Sequence, residues 1–569
     1  MRISDWQDQY FVDKVRAVAL TIAVSATLLL THRPSLAQQT KPTEKSEKTK
    51  AEQPLELPEF VITGTETLDV PGGTKQSPKP SPKLTQQQLN RFNPLDKQPF
   101  SMLPNAAMNR FLLPQQEREG FLQGEFGMFI TPSIDAGYRF VAGNFDLTAG
   151  AGATFSGGHR RNAEFTDLRA DIQSQYLAPE KFFFFAGSRT NTYLRANYRQ
   201  YRFFGADSIA FPELAPERRS LLLEGGVQTV GTFENLQYNM GLSAESVLLQ
   251  GIHENTLADA HLMMTTSLGG GWNLGGNMAV QFLAASWFSM LFSPSLVADY
   301  RSSAFSLSLT AGLQTLSYTP NLYPQASIRA HLAASSLLSL TVSGYTGVRQ
   351  NNFLRTFRNN PYTASTFFSS NVPPFPPENV IEASAIIHLH PSQHFAVNIG
   401  ANAQSAVGKM LFDAASNNGE FVPLFRPVRS LSVWAETEVE ISLNDKFALR
   451  GQANFASVLL NISGSGDVTS PQSYLPPIEG SLRYRRQWFE QFSTVVEGIY
   501  FGERAVSLFT PSATNLPAYV DVRLSAEYEF SSTISAYVRG TNLLNQTIVI
   551  WQGYQERGIF IAAGFVITF

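Results

Sequence analysis

Three groups of side chains in this sequence carry residue types able to do chemistry. Glu436, Glu438 and Glu440 recur at every second position, and Asp521, Arg523, Glu527 and Glu529 keep the same phase. Charges at that spacing share one face of a β-strand. There they would tune the passage of ions or polar solutes, or simply solvate and pair within the sheet. The stretch HLHPSQH puts His388 and His390 on one face and His394 beyond a turn. Two imidazoles could begin a metal site, but no carboxylate stands beside them at ligand spacing, so no metal is expected. The run from Asn351 to Asn379 holds Phe353, Phe357, Tyr362, Phe367, Phe368 and Phe375, with Arg355 and Arg358 among them. Such a cluster is either an exposed binding surface or a loop that folds inward and packs on itself.

No pattern for covalent or acid–base catalysis accompanies them. There is no Gly-x-Ser-x-Gly, no phosphate-binding loop and no His-Glu-x-x-His. Cysteine is absent, which removes thiolate chemistry and disulfides. The reading is a non-enzyme with no cofactor. A net charge of −3 over 569 residues gives no electrostatic case for nucleic acid.

The elements that must position these groups are strands. From about Gly120 onward, apolar and polar residues alternate in segments of about 10 residues or more, the length that crosses a bilayer at a tilt. Ile134, Ala136, Tyr138 and Phe140 oppose Asp135, Gly137 and Arg139; Val520, Val522, Leu524, Ala526, Tyr528 and Phe530 oppose Asp521, Arg523, Glu527 and Glu529. Counting yields about 22 strands, with short turns after the even ones and long, Pro- and aromatic-rich loops after the odd ones. That sorting predicts an all-β, transmembrane antiparallel barrel over 120–569. A soluble sandwich would not keep its polar faces and its loops in such phase.

The N-terminus reads as an export leader over 1–37. Lys14 and Arg16 precede the apolar run from Ala17 to Leu30, and small residues at Ser35 and Ala37 mark a cleavage site. Residues 38–119 form a Lys- and Pro-rich periplasmic linker too polar to fold alone. Within it, residues 84–119 carry Phe92, Phe100, Met102, Leu103, Phe111 and Leu112, enough apolar surface for a partial stopper inside the barrel.

The ending is more particular. AYVRGTNLLNQ, then WQGYQERGIFIAAGFVITF, resembles the C-terminus of TonB-dependent receptors, and PPENVIEASAIIHL resembles a strand opening in that family. Phe565, Ile567 and Phe569 match the terminal signature by which outer-membrane barrels are recognised for assembly. Glu59, Phe60, Val61, Ile62 and Thr63 resemble the TonB box. The resemblance implies an outer-membrane location and a solute to bind or transport. It also implies three partners: lipid, the barrel-assembly machinery and a TonB-type energy transducer that pairs with the box. The chain departs from the family in having no length for a full plug domain ahead of the barrel. The competing expectation is a structural barrel that anchors periplasmic partners and transports nothing.

Overall fold

A strand buried on one face and wetted on the other still leaves an edge of unpaired N–H and C=O groups unless the sheet closes. Here it closes. The computed structural model describes residues 119–569 except 206–214, 250–251, 285–287, 365–374, 393, 415–418, 463–465 and 509–514. The leader over 1–37, the linker with Glu59–Thr63, and all of 84–119 but Glu119 lie outside the described residues. Around the wall neighbouring strands pair antiparallel from Gly120–Gly127 to Phe560–Thr568, and those two pair with each other; Gly466–Pro471 and Ile478–Phe489 share one place beside Asp445–Ile462, and Val549–Trp551 with Tyr554–Gln555 form a separate ribbon. The result is a closed 22-stranded antiparallel barrel, the architecture that the alternation and loop parity predict.

The two faces differ as the period-two pattern requires. On Thr131–Ala142, Ile134, Tyr138 and Phe140 lie exposed on the outer face, while Asp135 points into the barrel and pairs with Arg169 at 2.9 Å. On the last strand Ile561 and Phe565 are exposed outward, and Ala562 and Val566 are buried. Turns such as Gly143–Asn144, Gly270–Gly271 and Leu443–Asn444 gather at one end, and the long loops at the other. One turn at the short end breaks the pattern. Residues 178–188 fold back over the outer wall, and the Phe184 ring stacks on Tyr238 at 4.6 Å. Tyr238 sits on the apolar face, as alternation requires, yet is almost fully covered.

The closing seam uses close approach. Gly120 and Gly124 of the first strand face the rings of Phe569 and Phe565, and a Cβ at either glycine would collide with the ring. An aromatic laid over a strand glycine shields the backbone that the missing side chain would expose. On the inner side, Tyr537 and Arg539 donate to Glu125 at 2.9 and 2.7 Å. Their strand, Ile534–Thr541, lies one beyond the last, so the ion pair ties three strands together across the seam.

Candidate functional site

At the long-loop end, most of residues 350–364 are buried rather than standing out from the rim. Asn352 caps a short helix, Phe353–Asn359, accepting the Arg355 N–H at 2.8 Å. Phe353, Leu354 and Phe357 are buried, and they pack with Phe375 against Val247 and Leu249 of the wall. Of the two options the sequence leaves open for this aromatic run, the described residues take the inward one. Phe367 and Phe368 lie outside them.

Ion pairs fix the helix at both sides. Arg355 donates to Glu378 at 2.7 Å, and the Glu378 side chain is fully buried. Arg358 reaches Glu245 at 2.8 Å and also pairs with Glu224. Glu224 and Glu245 are inward-facing residues of Glu217–Phe233 and Leu236–Leu249, while the loop springs from Leu338–Arg349 and Glu378–Ser392. These strand pairs are well separated around the wall. The helix therefore runs as a chord across the lumen, below the rim.

Above it, aromatic rings from several loops converge on Tyr362. Its ring stacks on Tyr554 at 3.8 Å and meets Tyr201 and Phe203 edge-on, each at 5.7 Å. Phe421, Tyr474 and Trp551 extend the layer. Side chains clamp backbone beneath it. Tyr201 and Arg218 donate to the Pro361 carbonyl at 2.7 and 2.6 Å, Arg218 to Thr363 at 2.8 Å, and Tyr554 to Gly419 at 2.7 Å. Asn542 donates to the carbonyls of Gln546 and Arg557, holding the turn that leads into this layer. Burial raises the Tyr554 phenol well above its ordinary value and pushes the neighbouring Glu556 carboxyl up to about 7. The arrangement is a lid of loops laid over a wide barrel.

Below the lid the inner wall is polar, and the sequence-predicted charges are spread along it. Glu436 accepts from Asn398 at 3.2 Å; Glu440 meets His394 and Lys446, each at 3.1 Å; Glu438 lies between Ala396 and Ala448. Asp521 accepts from Arg523 at 2.7 Å and from the Asn542 N–H at 2.8 Å, while Glu527 accepts from Ser535 at 3.1 Å. These two rows lie on separate strands and do not meet in one site. His388 is held by Asn398 and Thr341, away from the His394–Glu440 pair. Among the described residues no group of three acidic or imidazole side chains could hold a metal. Phe565, Ile567 and Phe569 line the outer face of the seam.

Sequence reasoning missed Glu224, Glu245, Arg218 and Tyr554 as parts of the lid. The available signal was the pair of arginines in the aromatic loop, which need carboxylates, and inward-facing Glu224 and Glu245 were there to supply them.

No protein-family model matches the chain. No curated protein matches it by sequence. Solved structures do match its shape. The siderophore receptor PirA from Acinetobacter baumannii superposes with a TM-score of 0.59 at 10% identity, covering 80% of each chain. The FrpB iron transporter from Neisseria meningitidis gives 0.61 at 8% identity, over 81% of this chain and 83% of that one. The copper transporter OprC gives 0.57 at 9%, over 80% and 81%. At these identities the shared property is the fold, a barrel common to receptors and transporters.

Proposed function

We propose that the chain is an outer-membrane uptake barrel of the TonB-dependent-receptor type, whose lumen is gated at the extracellular mouth by the loop segment over 350–364. The observation that carries this reading is the helix Phe353–Asn359, held across the lumen by Arg355–Glu378 on one side and Arg358–Glu224/Glu245 on the other. A barrel of this strand number is wide enough to leave an aqueous channel unless something fills it. An ion-paired segment can be displaced without unfolding the wall. A polar solute that competes for those charges would move the segment aside and enter a lumen lined by paired carboxylates and arginines. Energy for uptake would come from a TonB-type transducer pairing with Glu59–Thr63. Lipid surrounds the wall, and the barrel-assembly machinery reads Phe565, Ile567 and Phe569.

The sealed mouth also suits a barrel that only anchors periplasmic partners, and one measurement separates the two. The full chain, and a variant with residues 353–359 replaced by a Gly/Ser linker, are inserted in planar bilayers. Uptake predicts rare openings for the full chain and frequent, larger ones for the variant. A silent variant would favour the anchoring role.

A further inference from the structure

The segment that crosses the lumen is itself a cation. Between Gln350 and Pro377 the sequence holds Arg355 and Arg358, and no aspartate, glutamate, lysine or histidine. The walls that receive its two ends differ. Where Arg358 lands, Glu224 and Glu245 stand directly opposite each other, and Asp259 lies diagonally beside them on the following strand. Against these three carboxylates the wall sets Arg195, 3.7 Å from Glu224. Where Arg355 lands, Glu378 and Glu382 are matched by two wall cations. Arg349 donates twice to Glu382, at 2.7 and 2.6 Å, and Lys409 donates to Gln404 at 2.5 Å beside them. One acceptor there is left over: Glu378 Oε1 is buried and has no hydrogen-bond partner among the described residues.

With the helix lifted, the walls keep five carboxylates against Arg195, Arg349 and Lys409, an excess of two negative charges. The helix supplies the two positive charges that cancel it. We infer that the solute admitted at this gate is an organic dication, bearing two guanidinium or amine groups as a short arginine-containing peptide does. It takes over the carboxylates that Arg355 and Arg358 hold. The sign follows from what each displacement leaves behind. An anion drawing the arginines away would strand Glu224 across from Glu245, and like charges directly opposite repel. It would also leave Glu378 buried without Arg355, the costly fate of a broken buried pair. A cation keeps the carboxylates paired and releases the arginines to water. Glu224 and Glu245 are partly exposed and are met first; the fully buried Glu378 becomes reachable as the helix lifts. Shape favours an organic cation over a metal ion. Both wall carboxylates engage Nη2 of Arg358, one prong of a planar fork, and no described group is arranged to hold a metal.

The inference rests on the gate proposed above, and its test keeps the two apart. The probe is the helix sequence itself, FLRTFRN, as a peptide capped at both ends. Two analogues replace both arginines, one with glutamine and one with glutamate. Barrel assembly of each variant is first read by heat-modifiable mobility, and conductance is then recorded in planar bilayers with peptide in both chambers. The variant with residues 353–359 replaced by a Gly/Ser linker should conduct. The arginine peptide should block it at concentrations at least about tenfold lower than either analogue, a difference of about 1.4 kcal/mol. On the full chain the arginine peptide should raise opening frequency several-fold, and the glutamate analogue should not. In the linker variant, Glu224→Gln with Glu245→Gln should weaken the block at least about tenfold. Asp299→Asn, an inward carboxylate near the short-turn end, should leave the block as it was. Equal block by the three peptides would overturn the inference, as would block indifferent to the two wall substitutions or a full chain that ignores the arginine peptide. A linker variant that assembles yet stays silent would instead overturn the gate.

Discussion

The wall and the mouth of this barrel are held together by different physics. Every wall residue answers to its neighbours two positions away and directly across the sheet: Ile134 is outward because Asp135 is inward, and Asp135 meets Arg169 two strands on. The mouth has no such rule. Tyr362 is fixed by Tyr201 and Tyr554, residues far from it in the chain, and Arg358 by Glu224 and Glu245. A wall built from repeated local pairings tolerates single losses. A mouth closed by a few long-range contacts can be opened by losing one. That contrast is what suits the first to be a scaffold and the second a gate.

The largest test of the contrast strikes the lid's buried ion pair. Arg355→Ala leaves the Glu378 carboxylate buried without its partner, a loss of about 3–5 kcal/mol for the closed loop. Proteolysis is expected to nick 350–377 much faster in this variant while the heat-modifiable barrel persists. Unchanged nicking would mean that the loop is held by its aromatics alone. Next comes the seam, where the wall itself is vulnerable. Phe565→Lys puts a cation on the outer face over Gly124 and should cost about 2–4 kcal/mol at the midplane, less near an interface. The yield of assembled barrel should fall, and wild-type yield would contradict the membrane-facing assignment of Phe565.

A smaller effect concerns pH at the mouth. Glu556 has its carboxyl raised from 4.5 to about 7 by burial. A raised acid holds its proton in the closed mouth and gives it up more readily in an open one. Closure is thus most favoured at acid pH and loses that contribution as pH climbs from about 4.5 to about 7. Opening frequency should rise across that window, and Glu556→Gln should flatten the dependence; a variant that keeps the slope would assign it to another group. The smallest expected change is on the wall. Glu436→Gln with Glu438→Gln removes two inward charges, one accepting from Asn398 and the other lying between Ala396 and Ala448. Cation preference of the open channel should drop modestly with no loss of stability.

What was legible in the sequence follows the same division. The barrel, its strand number and the facing of Phe565 or Asp135 could be read because period two is written into each strand. The direction of the Phe-rich loop could not, because nothing local distinguishes a loop that packs inward from one that projects. Two stretches recognised by resemblance turn out to serve the mouth. Glu378 of PPEN is the fully buried partner of Arg355, and Tyr554 of WQGY stacks on Tyr362. Their residue types were visible, but their partners lie far away in the chain. The cover over Tyr238 was hidden for a similar reason. Nothing local in the FFFF run at 182–185 sets its direction, and only the fold shows that it reaches over the next hairpin.

Closure of the lumen by the helix Phe353–Asn359 is tested most directly by access to the wall beneath it. The chain has no cysteine, so Ser243→Cys, two residues below Glu245 on the same inward face, supplies a single thiol under the helix and leaves its ion pairs in place. Its reaction with a membrane-impermeant maleimide added from outside is followed in the full loop and with residues 353–359 replaced by a Gly/Ser linker. Closure predicts slow labelling with the native loop and labelling many-fold faster with the linker. Equal rates in the two would show that the helix does not bar the way.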